Sequence, residues 1–106
     1  MIRVVLQNSN NVIYFNDLYD VLNEEYVNDA DIEVVIYDVY GAEVAGQIWP
    51  LTLSYNDGSD GDYYATLNDG INLQVGLYYK AVVNIDAGPG RRLEETHELE
   101  IVDRLP

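Results

Sequence analysis

Apolar and polar side chains alternate along most of the chain with a period of two. From Leu77 to Asp86, the side chains of Leu77, Tyr79, Ala81, Val83 and Ile85 fall on one face, and Tyr78, Lys80, Val82, Asn84 and Asp86 on the other. This is the signature of a half-buried strand. A helix would scatter the same apolar groups around its circumference, and the β-branched and aromatic content disfavours it. The segment Asp31 to Tyr40 repeats the rhythm with Ile32, Val34 and Ile36. The next runs Trp49, Leu51, Leu53, Tyr55, with Ile48, Thr52 and Ser54 opposite. Between them Tyr40-Gly41-Ala42 predicts a tight turn, so the two segments pair as a hairpin. Trp49 counts with the structural residues. Pro50 beside it withholds a ladder donor and marks an edge, a bulge or a break.

Shorter segments complete the set. Ile2, Val4 and Leu6 alternate with Arg3 and Val5, and a second short strand covers Val12 to Phe15. Tyr63, Ala65 and Leu67 form a strand after the loop Asn56-Asp57-Gly58-Ser59-Asp60-Gly61-Asp62. Ala87-Gly88-Pro89-Gly90 is a strong turn, and the last strand runs from about Leu93 to Asp103 with Leu99 and Ile101 inward. In 16–29 the side chains of Leu18, Val21, Leu22 and Tyr26 either line one face of a helical turn or plug a loop into the core. Turn signals about every ten residues between short alternating segments predict an all-β sandwich or barrel of about seven strands.

The length of 106 residues adds one bound: residues 1–106 form a single domain, with room for one core. Nineteen Asp and Glu against five Lys and Arg leave a formal charge of −14. That sign repels phosphate backbones, which excludes nucleic acid as a partner, and it attracts cations or a basic protein surface. Cysteine is absent, so disulfides, thiolate catalysis and thiolate metal sites are excluded. The apolar run at the start is too short for a secretory leader. No stretch reaches the roughly 20 apolar residues of a membrane helix. The expected location is the cytoplasm, with no membrane partner.

Candidate chemistry is sparse. His97 is the only histidine, and none of Ser9, Ser54 and Ser59 sits in a nucleophile-elbow pattern, so a Ser-His-Asp triad is not expected. One histidine without cysteine cannot make a zinc site. His97 shares parity with Leu99 and Ile101, which places its ring at the end of the core or at a sheet edge. Acidic pairs are too abundant to single out a glycosidase. The expectation is a protein that is not an enzyme, with no catalytic residues and no cofactor. Asp57, Asp60 and Asp62 are a weak Ca²⁺ candidate, because three carboxylates lie on a glycine-rich turn. In an EF-hand register, however, Gly58 and Leu67 would stand where oxygen ligands are needed. Ten tyrosines offer an outward aromatic patch through Tyr37, Tyr64 and Tyr78, with Tyr63 inward.

Two resemblances bear on identity. Leu73-Gln74-Val75-Gly76-Leu77-Tyr78-Tyr79-Lys80-Ala81-Val82-Val83 resembles the tyrosine-corner stretch of fibronectin type III and related immunoglobulin-like domains. Carried over, Leu73 matches the leucine six residues before the corner and Tyr79 the corner tyrosine, whose hydroxyl bonds back to the backbone just upstream. Val75 departs from that pattern, where proline is frequent. An antibody-type domain is less similar, since Ala65 stands where the second cysteine would follow Tyr63. The fold implied is all-β, an immunoglobulin-like β-sandwich of about seven antiparallel strands in two sheets.

The whole chain also resembles small proteins encoded by tailed bacteriophages and prophages. The shared runs are Val27-Asn28-Asp29-Ala30-Asp31, Asp38 to Gly46, Leu53-Ser54-Tyr55, Gly58 to Tyr63 and Val75-Gly76-Leu77-Tyr78-Tyr79. This resemblance implies a non-enzymatic structural or accessory role in the particle. The partners are then other proteins, capsid or tail components or further copies, met in the host cytoplasm during assembly and in the virion. The alternative is a carbohydrate- or Ca²⁺-binding module that uses the outward tyrosines and the 56–62 loop.

Overall fold

The computed structural model describes residues 2–6 and 11–103. Nine strands are present among the described residues: β1 (Ile2–Leu6), β2 (Val12–Phe15), β3 (Tyr19–Asp20), β4 (Glu25–Tyr26), β5 (Asp31–Tyr37), β6 (Leu51–Tyr55), β7 (Tyr63–Thr66), β8 (Tyr79–Asp86) and β9 (Arg92–Asp103). No helix occurs among the described residues, as the alternation predicted. Expectations placed on Ser9 and on the side chain of Leu6 lie outside what is described.

Seven strands close into one barrel in the order β1-β2-β7-β6-β5-β8-β9, and β3 with β4 forms a small separate sheet. Two strands make the closure. β6 pairs with β5 through Leu51–Leu53 and with β7 through Ser54 and Tyr55. β1 pairs antiparallel with β2 and parallel with β9, Arg3 lying opposite Glu100. The expectation of antiparallel pairing throughout is therefore corrected at β1–β9. Closure pairs β1 with β9 only at Glu100–Asp103, which shortens the sheet edges whose unpaired N–H and C=O groups invite aggregation.

The barrel is filled. Val4, Ile13, Ile32, Val34, Ile36, Ala81 and Val83 expose none of their surface, and burying each larger side chain stabilises by about 1.5–3 kcal/mol. β8 carries the expected alternation from Tyr79 to Ile85, but Leu77 does not belong to it. The turn at Gly76, with a φ of +91°, keeps the chain in the loop through Tyr78, so Leu77 precedes the strand and is half-exposed. Val5, of outward parity, is buried together with Val4.

The link from β5 to β6 is longer than a tight hairpin. The turn forms, with Asp38 N–H donating to Ala42 O at 2.8 Å. The chain then crosses the end of the barrel, where Val44 N–H donates to Ile36 O and Asn72 N–H to Ala45 O. β6 starts only after Pro50, so Ile48 and Trp49 precede the strand rather than extend it. Half-buried Trp49 packs on the core, and its Nε1–H donates to Val44 O at 2.8 Å.

Residues 16–29 form no helical turn, and of the four residues expected to line it or to plug the core only Leu18 reaches the core. Leu18 packs on the core and Val27 is buried, but Val21 and Leu22 are 77% and 94% exposed and Tyr26 is exposed as well. The cause is local. Asp20 Oδ1 accepts the N–H groups of Leu22 and Asn23, which closes a β3–β4 turn and throws the two apolar residues outward. Tyr63 ties this excursion to the barrel: its hydroxyl donates to Val27 O at 2.7 Å and accepts from Ala30 N–H at 3.1 Å.

Candidate functional site

The 38–42 turn and the 71–78 loop meet at one end of the barrel, and both are rigidly anchored. In the turn, Asp38 Oδ1 accepts Tyr40 N–H at 2.9 Å and Ala42 N–H at 3.0 Å. Gly41, with a φ of +84°, supplies the left-handed residue that the turn requires. In the loop, Ile71 and Leu73 are buried, and the Tyr79 hydroxyl accepts Gln74 N–H at 3.1 Å, five residues upstream. With their backbones held in this way, the intervening side chains can only point out.

Those side chains are apolar. Val39, Tyr40 and Tyr78 are 74%, 92% and 80% exposed, and Val75 and Leu77 are half-exposed beside them. Val39, Tyr40, Leu77 and Tyr78 line one open groove of about 370 Å³. A second, of about 350 Å³, shares Val39, Tyr78 and Tyr79 and runs onto the outer face of β5, β8 and β9. Exposed apolar surface of this kind marks interaction sites in soluble proteins, whereas scattered single residues do not. The tyrosines add hydroxyl groups at the rim, which suits a surface that is wet when free and dry when covered.

At the opposite end of β8, the β3–β4 sheet leans on the 87–91 turn. Arg91 Nη1 donates to Asp20 Oδ2 at 2.8 Å, while its Nε and Nη2 donate to Ala87 O. The Arg91 guanidinium, helped by Asn23, lowers the Asp20 carboxyl to about 2, and the same ion pair raises Arg91. Tyr19 and Tyr26 stack edge to face at 5.1 Å beside this pair.

The residues singled out for chemistry stay apart. His97 stands at the rim of the core, half-buried, edge-on to Phe15 at 6.0 Å, with Nε2 3.1 Å from Glu95 Oε1. Ser59 Oγ donates to Asn56 O, and no hydrogen bond joins His97 to Ser54 or Ser59. In the 56–62 loop, Asp62 Oδ1 accepts Asp17 N–H at 3.0 Å, while Asp57 and Asp60 are exposed. Among the described residues, no three His, Asp or Glu side chains are gathered as a metal would require. Of the aromatic positions, Tyr78 lies in the apolar end, Tyr37 lines the adjoining groove, and Tyr64 is exposed on β7.

Sequence reasoning missed Val39, Tyr40 and Val75 as surface residues. The signal was present in an apolar pair inside a turn, Val39-Tyr40 before Gly41, where a core role is geometrically excluded. No helix among the described residues is long and apolar enough to cross a membrane. Compared with protein-family models, curated proteins and solved structures, the chain finds no match in any of the three.

Proposed function

We propose that this chain is a non-enzymatic, immunoglobulin-like interaction domain that serves as a structural or accessory piece of a tailed-phage or prophage particle, made in the host cytoplasm and carried in the virion. The observation that carries the interaction role is the apolar end, where Val39, Tyr40, Leu77 and Tyr78 are held outward around one groove by internally bonded loops. Such a surface costs solubility unless something covers it.

The strand order supports the immunoglobulin-like part. Setting aside β3 and β4, the barrel order β1-β2-β7-β6-β5-β8-β9 is the order expected of the ABED and CFG strands of that fold joined edge to edge. The tyrosine at the start of β8 bonds upstream as a corner tyrosine does. The phage context rests on the resemblance of 27–31, 38–46, 53–55, 58–63 and 75–79.

The test is a chain with Tyr40→Ser and Tyr78→Ser, produced from the phage or prophage that encodes it, with its melting temperature compared to the parent. The parent chain is expected in purified particles, detected by mass spectrometry, and the equally stable double variant is expected to be missing. A parent chain absent from particles, or one that binds a glycan array or Ca²⁺ in calorimetry, would contradict the proposal.

A further inference from the structure

Closure of the barrel is incomplete along one strand. β1 runs beside β9 only from Glu100 to Asp103, because Arg3 lies opposite Glu100. Upstream of that point β9 pairs with β8 alone, in an unbroken register from Tyr79 opposite Leu99 to Asp86 opposite Arg92. Among the described residues, no backbone hydrogen bond reaches the other side of β9 from Arg92 to Glu98, and the 18–23 excursion stands near Arg92 and Leu93 only. This open edge is about 20 Å long at the usual strand rise. It contains neither proline nor bulge, two of the common devices that blunt an edge.

Its side chains decide what can lie there. Glu94, Thr96 and Glu98 project outward, next to Asn84, Val82 and Lys80 of β8. Leu93, Glu95 and His97 lie on the core-facing side, and Glu95 is held by His97 at the mouth of the barrel. A second copy of this strand fits poorly. Run antiparallel about Thr96, it sets Glu94 against Glu98, and run parallel in register it sets every glutamate against its own kind. Like charges directly opposite destabilise a strand pair, and each chain brings a further net charge of −14. A strand with lysine or arginine at alternate positions reverses the sign of each of these pairs.

We infer that the open edge of β9, Arg92–Glu98, is a docking strand for an extended basic segment of another protein, which joins the barrel backbone to backbone with its cations opposite Glu94 and Glu98. Backbone bonds of this kind give affinity, and the alternate side chains give selectivity. The Thr96 and Glu98 end of this edge adjoins the groove that runs from the apolar end, but the edge itself contains none of Val39, Tyr40, Leu77 and Tyr78.

Three acetylated octapeptides test the inference by calorimetry and NMR amide exchange: one alternating lysine with valine, one alternating glutamate with valine, and the lysine peptide with its valines N-methylated. At about 0.15 M salt, where exposed charges are screened beyond about 8 Å, the lysine peptide is expected to bind. It should slow exchange at alternate amides of 92–98 and leave those of Val39, Tyr40, Leu77 and Tyr78 unchanged. The N-methylated peptide, with the same charge but fewer backbone donors, should bind about tenfold more weakly or worse, and the glutamate peptide should not bind. A chain with Glu94→Lys and Glu98→Lys should invert the preference between the two charged peptides. Should that chain unfold, Glu94→Gln with Glu98→Gln is expected to weaken the lysine peptide with the melting temperature preserved. Equal binding of the N-methylated peptide, protection elsewhere on the barrel, or no binding of the lysine peptide would overturn the inference. So would slowing of the same amides by the chain's own concentration, which would make a second copy the occupant.

Discussion

Replacing Tyr63 with phenylalanine removes one oxygen from the barrel and should cost more than any other tyrosine-to-phenylalanine change. Tyr63 is 1% exposed, and its hydroxyl both donates to Val27 O at 2.7 Å and accepts from Ala30 N–H at 3.1 Å. Phenylalanine fills the same space, so no cavity forms; the loss lies in the two backbone groups left behind. Each lost bond contributes about 0.5–1.5 kcal/mol, and more where the orphaned group is shut away from water. The sum is about 2 kcal/mol. With an unfolding entropy of about 2.1 cal/mol/K per residue, that corresponds to a fall of about 9 °C in Tm. Calorimetric melting of Tyr63→Phe beside Tyr78→Phe is the assay. Tyr78 is 80% exposed with no bond to lose, so its change should stay within about 0.5 kcal/mol. Equal melting temperatures for the two variants would refute the argument. Burial also pushes the Tyr63 phenol above its ordinary value of 10. Its contribution is therefore fully present below pH 10 and is lost as pH rises through the folded-state value. Tyr63→Phe should weaken the alkaline dependence of unfolding.

Three further outcomes are expected. Tyr79→Phe removes the single bond from Gln74 N–H and should cost on the order of 1–2 kcal/mol in chemical denaturation, less than Tyr63→Phe. Gly61→Ala should be far more damaging than Gly41→Ala, although both glycines have positive φ: an added Cβ at Gly61 would meet Leu18 O at 2.5 Å, whereas at Gly41 nothing lies within 4 Å. The Gly41 change should cost only the left-handed backbone term of about 1–2 kcal/mol, and comparable melting of the two variants would count against the packing of Leu18 over the 56–62 loop. Finally, the Asp20 carboxyl, bonded to Arg91, should titrate near 2 rather than 3.8 when followed by carbon NMR. A lowered carboxylate stabilises above its unfolded value, and the contribution is lost as pH falls from 3.8 through about 2. Arg91→Gln should return Asp20 toward 3.8, and an unchanged titration would show that the latch is not formed.

What the sequence made legible was the content of the strands and the side that each presents inward. Ile13 and Phe15, Ile32 to Ile36, Leu53, and Tyr79 to Ile85 are buried in alternation, because a period of two is a local property that survives whatever the strand pairs with. Pairings distant in sequence were not legible. The parallel contact of β1 with β9 joins opposite ends of the chain, and alternation says nothing about which edges meet. Misplaced apolar residues have local polar causes instead. Val21 and Leu22 look like core residues until the Asp20 side chain closes the turn that ejects them. Trp49 continues the period of its neighbours, yet it stands before β6 with its indole bonded to Val44 O. The apolar end was half legible: Tyr78 had outward parity, but Leu77 shared parity with the core and leaves it only because the loop continues past Gly76 and β8 begins at Tyr79.

The same local reasoning explains why the acidic loop is an unpromising ligand set. Asp62 caps Asp17 N–H, Ser59 binds Asn56 O, and the Tyr55 hydroxyl bonds Ser59 O. Asp62, one of the three carboxylates, is thus engaged with backbone, as turn residues commonly are, while Asp57 and Asp60 stand exposed.

The open strand assigned above is located by the way β1 closes the barrel against β9. Long-range NOE measurements on labelled protein address that pairing directly. The account predicts parallel-strand contacts joining Arg3 with Glu100 and Val4 with Ile101, and no cross-strand contact on the outer side of Arg92 to Glu98. Antiparallel contacts between the two strands, or a strand found along 92–98 in the free protein, would contradict it.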